Sequence, residues 1–197
     1  MDLQNSLFLL LAFVTTGHSL SCYKCTGMTG SCAGQTETTC PIEASNCQSA
    51  TMVTQVGGVT TKVKVKDCST DCTTGSMNLG ILMMSSECCS SDRCNVQDTP
   101  DPRTSTPNGN TCYYCDGNSC SNVLKCSGSE DRCIKATGAF VGHTVKGCAS
   151  KSICDATSFS SIQGISCCSG NLCNGAKSVT QSFLILCFPL ISFILML

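Results

Sequence analysis

The clearest alternation of apolar and polar residues along this chain lies between residues 50 and 66. Two segments rich in Val and Thr flank Gly57-Gly58, a pair that suits a tight turn with positive φ. In the second segment valines alternate with lysines, which is the period of a half-buried strand with the valines facing inward. The pattern predicts a β-hairpin with strands at residues 50–56 and 59–66.

A shorter version of the same pattern follows later in the chain. Residues 134–141 and 144–146 alternate around a turn near Gly142, which predicts a second hairpin. Between the two terminal apolar segments, no stretch has a convincing helical period. We therefore expect the intervening chain to be all-β.

The N-terminal apolar segment is short. Residues 7–14 read LFLLLAFV and are followed by the small residues Gly17 and Ser19, which suit a signal peptidase site. We predict a signal peptide at residues 1–19. A buried N-terminal helix is the alternative.

The C-terminal apolar segment, residues 183–197, contains Pro189 and no basic residue. It is shorter than the ~20 residues that span a bilayer. Small residues at Asn174, Gly175 and Ala176 precede a polar spacer, the arrangement of a glycosylphosphatidylinositol (GPI) attachment signal. We predict attachment at Asn174 or Gly175 and removal of the propeptide, residues 175–197. A short transmembrane anchor is the alternative.

Cysteine supplies the strongest sign of organisation, with 21 among 197 residues. All but Cys187, which lies in the C-terminal tail, form two sets in the same order. Each set opens with Cys-Tyr-x-Cys and closes with Cys-Cys, four residues and Cys-Asn. This duplication predicts two disulfide-stapled extracellular modules, module one at residues 20–95 and module two at residues 112–174. Aromatic residues are scarce, so disulfides at about 2–4 kcal/mol each would supply much of the stability.

Residues 96–111 join the two modules and contain three prolines and several hydroxyl residues. This composition predicts an extended, exposed linker. Thr99, Thr104, Ser105 and Thr106 are candidate sites of O-glycosylation.

Charge and motifs argue against several functions. The net charge is -1 with no basic domain, which disfavours nucleic-acid binding. The Cys22/Cys25 and Cys112/Cys115 pairs lie too far apart for a zinc ribbon. Beyond the leader, His143 is the only imidazole, and no GxSxG motif occurs. We predict no catalytic residue, no metal and no cofactor.

Three surfaces are candidate ligand sites, each with a plainer interpretation. A lysine stripe on the first hairpin could contact an acidic partner or anionic head groups, or simply form a solvated face. The Met-rich run at residues 77–84 could bind ligand or pack between modules. Two phenylalanines of module two could be anchors or core. The candidate residues are Lys62, Lys64, Lys66, Met83, Phe140 and Phe159.

The cysteine order, the CYxC openings and the endings CCSSDRCN and CCSGNLCN resemble the urokinase-receptor/lymphocyte-antigen (LU) family of three-finger domains. Module two adds RCIKATG and KGCASKSIC to this resemblance. It implies an all-β, disulfide-rich fold of two tandem three-finger, snake-toxin-like domains. It also implies that Asn95 and Asn174 tie each C-terminal loop to the first strand of its module.

Spacing alone leaves the cysteine pairing open. The resemblance implies these pairs: Cys22–Cys47, Cys25–Cys32, Cys40–Cys68, Cys72–Cys88, Cys89–Cys94, Cys112–Cys133, Cys115–Cys120, Cys126–Cys148, Cys154–Cys167 and Cys168–Cys173.

For function, the resemblance implies a non-catalytic protein at the outer leaflet of the plasma membrane, held by a GPI anchor, that binds an extracellular protein ligand as a receptor or modulator. An inhibitor resembling the gamma-type phospholipase inhibitors is one alternative, and a cell-adhesion molecule is another. The urokinase receptor has three modules and this chain has two, so binding across a three-module cavity does not follow from the resemblance.

Overall fold

The computed structural model describes residues 19–137, 144–156 and 165–175. The predicted leader up to residue 18, the turn near Gly142 and the apolar tail lie outside the described residues.

Module one is built from antiparallel strands, and its central hairpin agrees with the prediction. The strands are β1 (Ser21–Gly27), β2 (Thr36–Thr39), β3 (Asn46–Val56), β4 (Val59–Ser69), β5 (Gly75–Asn78) and β6 (Leu82–Cys89). Gly57 and Gly58 form the turn between β3 and β4 with φ of 58° and 80°, values that only glycine adopts readily. The hairpin prediction is confirmed, with both strands extending further toward the disulfides than predicted.

Module two contains β7 (Pro107–Tyr114), β8 (Asn122–Ser127), β9 (Arg132–Thr137), β10 (Thr144–Ala149) and β11 (Ser166–Cys168). The described part of module two also contains an α-helix, α1 (Lys151–Asp155), which the absence of helical periodicity did not predict. A single helical turn is too short to produce a recognisable period. Two 3-10 turns follow β6: Cys94–Val96 at the end of module one and Pro102–Thr104 in the segment between the modules.

One sheet runs through both modules. Nine strands are paired in the order β11-β9-β10-β5-β6-β3-β4-β1-β2, and β7 and β8 form a separate two-stranded sheet. The junction is the antiparallel pairing of β10 with β5, in which Cys148 faces Asn78 and Ala149 faces Met77. The modules therefore share backbone hydrogen bonding across their boundary.

Cystines form much of the interior. In module one Cys22, Cys40 and Cys47 are buried together, and in module two Cys112, Cys126 and Cys148 are buried likewise. The cysteines of the two sets form ten disulfides, in the same pairs that the family resemblance implies. Cross-links that restrict the unfolded chain compensate for the small apolar core.

Each module is closed by one buried asparagine. The Asn95 carboxamide accepts from the Tyr23 N–H and donates to the Tyr23 and Gln48 carbonyls, all within 3.0 Å. Asn174 does the same in module two, accepting from the Tyr113 N–H and donating to the Tyr113 and Ile134 carbonyls, all at 2.9 Å. These contacts join the C-terminal loop of each module to its first strand.

Candidate functional site

The central hairpin has two unlike faces, which the strand register defines. Thr51 lies opposite Lys64 in the β3–β4 ladder, and Met52 lies opposite Val63. Since side chains alternate along a strand, the lysines share one face with Thr51, and the valines share the other with Met52.

Residues 96–105, here called the connector, cover the lysine face. The Thr51 hydroxyl donates to the Thr99 carbonyl, and the Thr99 hydroxyl donates to the Ser49 carbonyl, each at 2.7 Å. The Ser85 hydroxyl donates to the Pro100 carbonyl at 2.7 Å. The connector is therefore docked on the sheet rather than free, because hydroxyl groups of β3 and β6 bind its backbone, while six of its ten residues are exposed as predicted.

The connector also neutralises the lysine stripe. Asp98 contacts Lys64 at 2.7 Å and Lys66 at 2.9 Å, while Asp101 contacts Lys62 at 2.6 Å. Lys66 is only 1% exposed. The prediction of Lys62, Lys64 and Lys66 as a ligand surface is therefore wrong, because carboxylates of the chain itself occupy that position.

These contacts perturb both carboxyl groups. Hydrogen bonding to Lys64 lowers the pKa of Asp98, with Lys66 adding to the effect. Hydrogen bonding to Arg103, and then to Lys62, holds the pKa of Asp101 far below its usual range. Lowered carboxyl pKa values mean that the folded state favours the charged forms.

We expect Asp98→Asn to destabilise module one by about 1–2 kcal/mol. Removing the partner of a buried charge is costly, and the partial exposure of Asp98 reduces that cost. Because the pKa of Asp98 is lowered, its contribution is present above the ordinary value of 3.8 and is lost as the pH falls through the folded value. Urea unfolding at pH 7 and at pH 3 measures both effects.

Asp155→Asn is the matched control, because Asp155 pairs with Lys151 on the exposed surface of α1. Its effect should stay within about 0.5 kcal/mol. Equal losses in the two variants would contradict the assignment of Asp98 to a buried ion pair.

The candidate glycosylation sites differ in exposure. Thr99 is 2% exposed and hydrogen-bonded to Ser49, so its prediction as a glycan site is wrong. Thr104 and Thr106 are exposed and Ser105 is half-buried, and these three remain predictions.

The other face of the hairpin is apolar and uncovered; we call it the open face. Met52 is 41% exposed and Val65 39%, and Val56 and Val59 at the tip are each 67% exposed. The register adds the half-buried Ala50, Val63 and Leu82 to the open face, while Met84, on the same side of the sheet, packs at the seam between modules. The strand alternation was predicted correctly, but the prediction that the valines face inward is wrong, since the lysines are on the covered side.

Part of the Met-rich run packs at the seam between modules. Met77 is buried with Ile134, Ala149 and Ile153, and Leu79 and Met84 pack against them. Inter-module packing, the plainer interpretation of this run, is confirmed for these residues. Met83 lies half-buried opposite Val53 on the connector side, and Phe140, Phe159 and His143 lie outside the described residues.

Polar contacts reinforce the seam. The Ser150 N–H donates to the Ser76 carbonyl at 2.9 Å, and the Ser76 N–H donates to the Ser150 hydroxyl at 3.2 Å. The Ser152 hydroxyl donates to the Thr74 carbonyl at 2.6 Å. Together with the connector, these bonds hold the two modules in one arrangement.

The fold and the duplicated cystine hub define a class of disulfide-rich three-finger protein, and comparison with known proteins places the chain in a family. The u-PAR/Ly-6 domain model matches residues 18–97 and 108–176. The chain therefore belongs to the u-PAR/Ly-6 family, with two domains, which confirms the predicted fold class and the resemblance.

Three relatives illustrate the range of the family. The urokinase plasminogen activator surface receptor of Rattus norvegicus is 38% identical over 105 residues, 45% of this chain and 32% of the receptor. The phospholipase A2 inhibitor CNF of Crotalus durissus terrificus is 26% identical over 171 residues, 76% of this chain and 84% of the inhibitor. Lymphocyte antigen 6E of Gallus gallus is 31% identical over 93 residues, 46% of this chain and 74% of that protein. This chain spans about a third of the urokinase receptors that it matches.

In the described part of the chain, no helix has the length and apolar character needed to cross a membrane.

Proposed function

We propose that this protein is a non-catalytic, GPI-anchored cell-surface receptor or modulator that binds an extracellular protein ligand through the open face. The observation that carries the proposal is an apolar sheet face left uncovered while the opposite face is closed by the connector. Among the open-face positions of β3, β4 and β6, the only charged residue is Asp67, near the disulfide end of β4.

Contiguous exposed apolar patches are uncommon on soluble proteins and often mark interaction sites. Protein interfaces are depleted of charge at their centres and enriched in Met, and flexible Met side chains adapt to a partner surface. Met52 lies exposed at the middle of the open face, and its β3–β6 ladder partner Met84 is half-buried against the seam. The partner we propose therefore presents an apolar, uncharged surface of its own.

The anchor is proposed from the C-terminal sequence signal. Of the two predicted attachment residues, Asn174 is buried and its carboxamide is engaged with Tyr113 and Ile134. Gly175 follows directly and has no side chain to commit, so we favour Gly175 as the attachment residue. The proposed location is the outer leaflet of the plasma membrane.

Two measurements on the full chain expressed in cells test the proposal. Treatment with phosphatidylinositol-specific phospholipase C should release the protein from the surface; retention after treatment would contradict the anchor. For the open face, proximity labelling should identify extracellular proteins beside the wild type that are lost with the double variant Val56→Glu/Val59→Glu.

Ile42→Glu is the matched control, because Ile42 is 95% exposed but lies outside the open face, between β2 and β3. It should keep the labelled neighbours of the wild type. An unchanged set of neighbours in the double variant would contradict binding through the open face.

A second candidate is a phospholipase inhibitor. The similarity to the rattlesnake inhibitor extends over 84% of that protein, whereas the similarity to the rat receptor covers 32% of it. Constitutive secretion, together with inhibition of a phospholipase A2 by the purified protein, would favour this alternative over the receptor.

A further inference from the structure

Lys146 on β10 is a buried cation in module two. It is 8% exposed, and among the described residues its ammonium donates a hydrogen bond only to the Cys120 carbonyl, at 3.3 Å. The ammonium lies 5.9 Å from the centroid of the Tyr113 ring, near the outer limit of a cation–π contact. Within the described ranges no ion pair includes Lys146. A buried charge without an anion is costly, so this position favours a negative group nearby.

The duplication shows how the equivalent lysine of module one is neutralised. Lys66 and Lys146 each stand two residues before a cysteine of the same disulfide in the repeat. The ammonium of Lys66 donates to the Val96 carbonyl at 2.6 Å and pairs with the Asp98 carboxylate at 2.9 Å. Both acceptors belong to the segment that directly follows the closing asparagine, Asn95. In module one, the chain beyond the closing asparagine therefore supplies the anion.

The corresponding segment of module two has no carboxylate to offer. Gly175 is the first residue after the closing asparagine, and two residues further Lys177 stands where module one has Asp98. A Cβ atom at Gly175 would lie 3.2 Å from Cε2 of Tyr113. The backbone of Gly175 therefore lies against the ring that the Lys146 ammonium also contacts. The end of the folded module and the unpaired cation thus meet at one aromatic ring.

We propose that Lys146 binds the phosphate that joins the GPI glycan to Gly175. A GPI anchor is linked to its protein through ethanolamine, whose nitrogen forms an amide with the terminal carbonyl and whose oxygen carries a phosphodiester. With attachment at Gly175, this phosphodiester follows the closing asparagine much as Asp98 does in module one, and Lys177 leaves with the propeptide. An ammonium–phosphate hydrogen bond is charge-assisted and therefore strong.

The contact would fix the root of the glycan to module two and limit rotation of the two-module platform on its anchor. This inference rests on the proposed anchor.

Phosphorus-31 NMR of the whole protein, released from cells by phosphatidylinositol-specific phospholipase C, tests the contact. The released form keeps the bridging phosphodiester and, at the far end of the glycan, an inositol phosphate that serves as an internal reference. The bridging phosphate of the wild type should tumble with the protein, so that its transverse relaxation is several-fold faster than that of the inositol phosphate. Lys146→Met should remove most of this difference. No lipid is present, so a membrane head group cannot supply the anion.

Lys125→Met, which removes an exposed lysine of β8, is the matched control and should relax as the wild type does. The wild-type measurement decides even if Lys146→Met does not fold. A wild-type bridging phosphate as mobile as the inositol phosphate, or unchanged relaxation in Lys146→Met, would overturn the contact and leave the anchor standing. A C-terminal peptide that lacks ethanolamine phosphate in mass spectrometry would overturn both.

Discussion

Gly147→Ala is expected to separate the two modules while each keeps its own fold. A Cβ atom at Gly147 would lie 2.0 Å from the Asn78 carbonyl oxygen and 2.9 Å from the Leu79 Cα, both on module one. These atoms belong to the backbone, so they cannot move aside as a flexible side chain would. We expect a cost to the seam of about 1–3 kcal/mol or more, relieved when β10 leaves β5. Small-angle scattering should then give a larger radius of gyration, and thermal unfolding should become less cooperative.

Gly34→Ala is the matched control for this prediction. No heavy atom lies within 4 Å of a Cβ built at Gly34, which is not among the glycines with positive φ. Its radius of gyration and melting profile should equal those of the wild type. A compact Gly147→Ala variant that unfolds in the same single transition would show that β10 does not approach β5 as closely as described.

Asn174→Ala is expected to destabilise module two by about 3–5 kcal/mol. The truncation leaves the Tyr113 N–H without its acceptor, and the Tyr113 and Ile134 carbonyls without their donor, at a site that is almost fully buried. Each unsatisfied buried group costs about 1–3 kcal/mol. Chemical denaturation followed by NMR should show module two unfolding at a lower denaturant concentration while the signals of module one change little.

Asn118→Ala provides the comparison, because Asn118 is exposed on the loop between β7 and β8. Its effect should remain within about 0.5 kcal/mol. A loss below about 1 kcal/mol for Asn174→Ala would mean that water replaces the carboxamide and that this asparagine does not close the module.

The local pattern of the chain predicted its strands well but assigned the wrong face to β4. The alternation of Val63 and Val65 with the lysines predicted a strand correctly, because the pleated backbone of any strand points successive side chains to opposite faces. The face depends on what covers it, and the cover came from Asp98 and Asp101, far along the chain. Buried lysines are rare unless paired, so pattern alone favours buried valines.

The connector illustrates what composition misses. Its prolines and hydroxyl residues predicted an extended, exposed linker, and most of its residues are exposed. Composition did not predict that its carboxylates and backbone would dock on the lysines and hydroxyls of β3, β4 and β6. The sequence did contain a sign of this pairing. Asp98 and Asp101 are three positions apart in the connector, and the lysines at 62, 64 and 66 are two positions apart on β4. Composition describes average behaviour and carries no information on such complementarity.

The seam between modules was predictable only in part. The run of methionines suggested packing, and Met77 does pack on Ile134 and Ala149. The backbone pairing of β5 with β10 was not predictable, because β5 reads Gly-Ser-Met-Asn and has no strand period of its own. Edge pairing of this kind depends on the backbone N–H and C=O groups, which every residue type except proline carries.

The two u-PAR/Ly-6 domains form one rigid body through a shared sheet. Residual dipolar couplings of backbone amides in the wild-type ectodomain, in a weakly aligning medium, test it most directly. One alignment tensor should fit the couplings of β3, β4 and β6 together with those of β9 and β10. Two tensors of different magnitude, one for each module, would show that the modules reorient independently and would contradict it.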